Sequence, residues 1–318
     1  MTERLDVSDL TLQDVLDAQG RTKGHAIRTP LVRLQAEGRQ DIYLKFENLQ
    51  PVGSFKIRCA ANALVRRLEI AREGVSTASA GNFAQGLAYA GRALGVPVAT
   101  YVPETAAKSK VDALRRLGAT IMPVSYDAWW AMLAAPSNDP RFIHPVADID
   151  VLAGNGVIAL ELLEDLPDVA TIIAPYGGGG LSVGIAAATR AAGSSARVIA
   201  CETQAGAPLR AAIAAGEPVD IVFDPNTFIT GMGGPTVIPC MWPLAKALIA
   251  DTALVSLAQT ADALRMLIER HHLIVEGAGA AALAAALATD YEGPVVCILS
   301  GGHLDVDHLI TILQGVTP

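Results

Sequence analysis

Four cysteines in 318 residues (Cys59, Cys201, Cys240 and Cys297), none in a CxxC pair, point to neither a zinc cage nor a disulfide framework. They read as small buried apolar residues. Basic residues are also short: 24 Lys and Arg stand against 32 Asp and Glu, for a formal net charge of −8. A chain so charged lacks the basic face that neutralises phosphates, so nucleic acid is not an expected partner. No window approaches the roughly 18 uninterrupted apolar residues of a membrane span, and the stretch from Met1 to Leu12 lacks the basic flank and apolar run of a signal peptide. These absences suggest a cytoplasmic protein without membrane contact. Internal repeats and low-complexity tails are missing as well. What is present is a residue set 51% hydrophobic and 18% charged, enough for a large core split over two lobes.

Apolar β-branched runs alternate with Ala/Leu-rich helical stretches, the pattern of an α/β protein whose parallel sheet is covered by helices. Strands are predicted at residues 42–47, 75–79, 96–102, 120–124, 171–175, 197–202 and 294–299. Helices are predicted at 54–72, 82–94, 106–117, 152–166, 181–192, 260–271 and 278–288. A loop-rich stretch at 135–145 suggests a boundary, giving a large domain of residues 1–73 and 146–318 and a small inserted domain of 74–145. A second Gly/Pro-rich stretch, 216–243, is expected to wrap the mouth of the site.

Four motifs carry chemistry. Ser54-Phe55-Lys56-Ile57-Arg58 places Lys56 in the first turn of a helix that is largely apolar later on. Among dipoles and apolar walls a lysine's pKa falls, and its free amine can then condense with a carbonyl; an ordinary surface lysine fits the pentapeptide equally well. Ser79-Ala80-Gly81-Asn82-Phe83 follows a strand, where small residues let backbone approach a planar ligand and Asn82 can hydrogen-bond a ring oxygen. An Asn-capped turn would look the same. Gly177-Gly178-Gly179-Gly180-Leu181 joins a strand to a helix and makes a nest for one phosphate group, without the spacing of a P-loop or a dinucleotide fold. Ser300-Gly301-Gly302-His303 ends the last strand, where ligands bind in open α/β sheets.

In this order and spacing, the motifs resemble the fold type II (tryptophan synthase β-like) pyridoxal-phosphate (PLP) enzymes, specifically the threonine dehydratase and serine racemase branch. The similarity runs from Thr29-Pro30-Leu31 to Ser300-Gly301-Gly302. It implies PLP as cofactor, Lys56 as the lysine joined to it, Phe55 against its ring, Asn82 at its ring hydroxyl, the loop Gly177–Leu181 at its phosphate, and Ser300 at its pyridine nitrogen. Gly231 and Glu276 are implied near the cofactor, and Ser79, Ala80, Gly81, Asn82 and Phe83 at the substrate carboxylate. A homodimer acting on a small amino acid is implied too. The activity implied is removal of a β-hydroxyl from threonine or serine to give a 2-oxo acid and ammonia; racemisation, another 3-hydroxy amino acid such as hydroxyaspartate or phenylserine, and a non-catalytic sensor are the alternatives.

Four positions depart from the family pattern: Cys59 stands for a common Gly, Phe83 for His and His303 for Asn. The fourth is Pro208, where members that bind a cation carry a carboxylate; Glu202 is present, but no metal is expected. Ala80, which has no proton to give, stands where serine racemases place a second acid, so dehydration is expected over racemisation. Ending at Pro318, the sequence leaves no room for an additional C-terminal regulatory domain, and feedback by that route is not expected.

Overall fold

The computed structural model describes residues 10–36, 38, 41–135 and 137–318. The reading of Met1–Asp9 as free of a targeting signal lies outside them, as does Pro136 of the loop-rich stretch. In chain order the strands are β1 (Leu31–Arg33), β2 (Ile42–Lys45), β3 (Val75–Ala78), β4 (Val98–Pro103), β5 (Thr120–Val124), β6 (Thr171–Pro175), β7 (Arg197–Thr203), β8 (Asp251–Val255) and β9 (Val295–Ile298). The helices are α1 (Leu12–Thr22), α2 (Lys56–Arg66), α3 (Asn82–Leu94), α4 (Lys108–Arg116), α5 (Tyr126–Ala134), α6 (Ile149–Asp165), α7 (Gly180–Ala191), α8 (Pro208–Ala215), α9 (Trp242–Leu248), α10 (Leu257–His271), α11 (Gly277–Ala288) and α12 (Val306–Leu313).

Six strands form one sheet in the order β1-β2-β9-β6-β7-β8, parallel except for the β1–β2 edge pair. Every residue of the central strands β6 and β9 is buried, which is why both read in sequence as unbroken apolar runs and not as alternation. A second, three-stranded parallel sheet, β3-β4-β5, falls wholly inside residues 74–145. Its open edge at β3 is covered by the returning chain: the Ser76 N–H donates to the Arg141 carbonyl at 2.9 Å, and the Ser76 carbonyl accepts the Ile143 N–H at 2.8 Å.

Helix α2 is gripped on two sides by glycines. A Cβ on Gly86 of α3 would come within 3.0 Å of the Lys56 carbonyl oxygen, and one on Gly154 of α6 within 2.5 Å of the Cys59 Cα. Only hydrogen fits at either contact, so α2 is held at backbone distance.

Behind α2 lies a buried ionic cluster. Arg58 donates to Glu47 through Nε (2.8 Å) and Nη2 (2.8 Å) and to Glu161 through Nη1 (2.7 Å) and Nη2 (2.9 Å). Lys45 donates to Glu161 at 2.6 Å and to the Thr29 carbonyl at 2.8 Å. Burial alone would raise the Glu47 carboxyl, but Arg58, Thr29 and Lys45 outweigh it and hold it below the usual carboxylate range. Two cations against two anions leave the cluster neutral, the condition under which charges tolerate a dry interior.

Several expectations need correction. The helix expected over 54–72 stops at Arg66; the Arg67 guanidinium turns back to Asp148 (2.7 Å) and Asp150 (2.8 Å), and a separate 3-10 turn follows at Ala71–Glu73. The irregular stretch 216–243 ends in a 3-10 turn at Pro239–Met241 and the start of α9, whose Pro243 is tolerated because the first helical N–H groups have no intrahelical acceptor. The sequence pattern does not predict the short elements β1, β8, α1, α5, α8, α9 and α12.

Candidate active site

A cavity of about 850 Å³ opens at the C-terminal ends of β3, β6 and β9. Phe55, Lys56, Ser79, Gly81, Asn82, Phe83, the loop Gly177–Leu181, Gly231, Glu276 and Ser300 all line it. The four motifs therefore converge, as expected where strand ends meet helix starts. Ala80 is the exception: it is not among the lining residues, and it packs instead against the small cluster of Ala84, Ala88, Val102, Leu114 and Ala119.

Lys56 stands at the first position of α2, its turn pinned by the Phe55 N–H donating to the Ser300 carbonyl at 3.0 Å. Its Nζ lies 4.8 Å from the centre of the Phe55 ring and 5.6 Å from that of Phe83. Among the described residues no carboxylate reaches ion-pair distance. The side chain keeps some access to solvent through the cavity, yet protein encloses it on the other sides, and this burial lowers its pKa against the weaker opposing pull of Cys59 and Glu276. A greater fraction of free amine is thus available near neutrality than an exposed lysine offers.

The glycine loop is a seat that tolerates no side chains. A Cβ on Gly178 would lie 2.7 Å from Val146 Cγ2, and Gly179 has φ 92°, with the Tyr176 hydroxyl 3.1 Å from where its Cβ would be. No hydrogen bond from the Gly177, Gly178 or Gly179 N–H to another protein atom is found among the described residues, and the loop opens α7. Unpaired N–H groups at a helix start suit an anion. The start of α3 is similar: Ser79 Oγ accepts the Gly81 N–H at 3.2 Å, while the Asn82 and Phe83 N–H groups have no protein acceptor among the described residues.

Asn82 has a protein partner that the sequence does not reveal. Its amide donates to both oxygens of Glu276, at 3.1 and 3.2 Å. Burial first raises the Glu276 carboxyl, to about 7, with Asn82, the His303 N–H, Lys110 and Lys56 opposing. Gly231 makes room for that carboxylate: φ is 86°, and a Cβ would lie 3.2 Å from Glu276 Oε1. Ser300 is buried at the cavity wall, and its hydroxyl has no protein partner among the described residues. Glu202, the candidate cation ligand, is committed elsewhere. Its carboxylate accepts the Leu209 and Arg210 N–H groups, both at 2.8 Å, at the start of α8. Among the described residues no group of three or more His, Cys, Asp or Glu is placed to hold a metal.

His144 was not singled out in the sequence. Its Nδ1 accepts the Val146 (3.1 Å) and Ala147 (2.7 Å) N–H groups, which leaves Nε2 to donate to the Leu133 carbonyl at 3.1 Å. Burial pushes its pKa down to about 4, so the ring is neutral as this pattern requires. It fixes Val146 beneath Gly178 and Gly180. The only sequence signal is a His-Pro pair closing a loop.

Comparison with known proteins decides the family. The model for "Pyridoxal-phosphate dependent enzyme" matches residues 22–301. The chain belongs to this family. The L-threonine ammonia-lyase of Geobacter sulfurreducens is 38% identical over 313 residues, 94% of this chain and 77% of that protein. A PLP-dependent aspartate racemase structure superposes with TM-score 0.82 at 31% identity, covering 94% of this chain and 97% of that one. Maize serine racemase gives TM-score 0.83 at 30% identity, covering 96% and 97%. The chain has the fold type II architecture and is a PLP-dependent ammonia-lyase. The site fits the cofactor: the unpaired N–H groups of the glycine loop suit its phosphate, Lys56 its aldehyde, and the unpartnered Ser300 hydroxyl its ring nitrogen. Among the described residues no helix is long and apolar enough to cross a membrane.

Proposed function

We propose that the protein is a dehydratase that converts a small 3-hydroxy amino acid, with L-threonine and L-serine as the reference substrates, to a 2-oxo acid and ammonia. The observation that carries this reading is the Lys56 amine, set against the rings of Phe55 and Phe83 with no carboxylate at ion-pair distance among the described residues, beside two helix starts whose N–H groups have no protein acceptor there. PLP, when bound, supplies the electron sink for the charge left when the substrate's Cα proton departs. Lys56 Nζ takes that proton, and its lowered pKa keeps the lone pair available. The Asn82 and Phe83 N–H groups receive the substrate carboxylate, and α3 holds them in place. Ser300, a neutral hydroxyl, can hold a hydrogen bond at the ring nitrogen but cannot keep that nitrogen protonated as a carboxylate would. With Ser300 as that neutral partner, departure of the β-hydroxyl would be favoured over prolonged storage of the charge. On the same reading residues 74–145 form a separate small domain, and the protein works as a cytoplasmic homodimer; these points rest on the loop-rich boundary and the family resemblance.

The test is direct. Purified protein is reduced with borohydride and mapped, and release of 2-oxo acid and ammonia from L-threonine and L-serine is measured with chiral analysis of the remaining substrate. The expected result is a label on Lys56 and turnover with little D-enantiomer. A label on Lys45, or substantial racemisation without ammonia, overturns the reading.

A further inference from the structure

Ala153-Gly154-Asn155-Gly156 belongs to none of the four motifs, yet it lies in α6, which packs against both α2 and α7. Its glycines bring α6 to backbone distance from each. Gly154 meets the Cys59 Cα of α2. A Cβ on Gly156 would come within 2.8 Å of the Ala188 Cβ on α7, and one on Gly184 of α7 within 2.7 Å of the Leu152 carbonyl oxygen. Helix α6 therefore braces the helix of Lys56 on one side and the helix opened by the glycine loop on the other.

Between the two glycines stands Asn155, fully buried, its Cβ 2.9 Å from where a Gly184 Cβ would be. Its Nδ2 donates to the Gly180 carbonyl at 2.8 Å. Among the described residues no other side chain from outside α7 hydrogen-bonds the loop Gly177–Leu181; Ser182 Oγ, from within the helix, reaches the Gly179 carbonyl at 3.4 Å. The Gly180 carbonyl and the Leu181 N–H belong to one planar trans peptide and point in opposite directions, so a donor that fixes the carbonyl aims the N–H. That N–H, at the second position of α7, has no protein acceptor among the described residues. Donation to the carbonyl also polarises the peptide and strengthens its N–H as a donor. Asn155 Oδ1, by contrast, is buried without a hydrogen-bond partner among the described residues. A leucine of similar volume would remove that orphan, and the Gly180 carbonyl would keep its place in the helical ladder, so stability alone does not account for the asparagine.

We infer that Asn155 is a positioning residue of the phosphate seat: it ties the first turn of α7 to the helix that also braces α2, so that the Lys56 amine and the loop N–H groups keep the one spacing a phosphorylated cofactor spans. Asn155 itself does not line the cavity and acts through the Gly180–Leu181 peptide. The inference rests on the proposed placement of the cofactor, its aldehyde at Lys56 and its phosphate at Gly177–Leu181. Those two groups of PLP stand on neighbouring ring carbons, the phosphate through a short methylene ester, so the molecule has little freedom to follow a seat that shifts. A loosened seat therefore weakens the phosphate contacts and spares the aldehyde.

Cofactor-stripped protein is titrated with PLP and with pyridoxal, which has the aldehyde but no phosphate, and binding is read from cofactor absorbance. Asn155→Leu should raise the PLP dissociation constant about tenfold or more, the loss expected for a misdirected charge-assisted contact, and leave that for pyridoxal within about twofold. Should Asn155→Leu fail to fold, Asn155→Ala, which removes the same amide without adding apolar bulk, supplies the same ratio. A PLP-to-pyridoxal ratio that stays unmoved overturns the inference, whether both constants rise together, as a merely structural role requires, or neither changes. Failure of both variants to fold makes Asn155 a residue of the core and overturns it too. Unaltered protein that binds PLP no more tightly than pyridoxal overturns the phosphate seat itself, and with it the placement on which the inference rests. Tighter binding of PLP by unaltered protein, with the borohydride label on Lys56, leaves that placement standing whatever the Asn155 variants do.

Discussion

Lys45 and Lys56 are both enclosed by protein near the ends of adjacent elements, and they solve burial in opposite ways. Lys45 is fully buried and meets Glu161 at 2.6 Å and a backbone carbonyl at 2.8 Å, inside a cluster whose charges cancel. Lys56 meets the faces of Phe55 and Phe83 and no carboxylate at ion-pair distance among the described residues. Compensation makes a lysine inert and structural; its absence lowers the cost of losing the proton, which a nucleophilic amine requires. Arg58 stands between the two, on the same helix as Lys56 but bound to the acids of Lys45. The neutral cluster thus anchors the helix that presents the uncompensated amine.

The comparison can be broken most severely at Lys56. Lys56→Ala should cost roughly 10²–10⁴-fold in ammonia release and abolish the borohydride label, while unfolding by denaturant stays close to that of the unaltered protein. Arg58→Met does the reverse, stranding Glu47 and Glu161 as buried carboxylates with only Lys45 to offset them. It should lose about 3–5 kcal/mol of stability in urea unfolding, with the label still on Lys56 in whatever fraction folds. Ser300→Ala should retain the cofactor absorbance but slow turnover by the equivalent of about 1–3 kcal/mol, because one hydrogen bond to a buried ring is lost. Unchanged kinetics would make Ser300 a strand terminator only.

Glu276 sharpens the contrast through pH. Its carboxyl is raised from 4.5 to about 7, chiefly by burial, so folding favours the protonated form. Its stabilising contribution is complete below 4.5 and is lost as pH rises through about 7. In cofactor-stripped protein, Glu276→Gln should flatten the decline in stability across that window; an unaltered pH profile would show that Asn82 and the cavity solvate the carboxylate better than the fold implies. The smallest effect is expected from chelation. With both Glu202 oxygens occupied by α8 N–H groups, EDTA should change activity less than about twofold, within the noise of surface-level effects; strong inhibition restored by a divalent ion would contradict this.

Much of the fold is legible in the sequence, in the wholly buried β6 and the largely exposed β5 alike. Residues 171–175 and 120–124 were read with the bounds that the structure has, and α3 likewise, because flanking turns and glycines punctuate them. The edge strand β1 has three residues and β8 is partly exposed, so neither makes a long apolar run. Helix α8 was hidden by the proline at its first position, although proline is compatible with a helix start. In the site, motif order sufficed to gather Lys56, Asn82, the glycine loop and Ser300 at one cavity. It could not reveal the Asn82–Glu276 pair, the outward packing of Ala80, or His144, because each depends on contacts between segments far apart in sequence or on a side-chain direction at one turn.

The strap running from Arg141 to Ala147 leaves little slack. At one end Ile143 is tied to Ser76 on β3, and one residue later His144 fastens Val146 and Ala147 to the end of α5. Val146 in turn is wedged under Gly178 and Gly180. A swing of the three-stranded sheet would therefore pull on the wedge directly, and the glycine loop after β6 would register the movement as soon as the start of α3 did. The strap is placed as a linkage rod, joining one side of the cavity to the other with His144 as its pin.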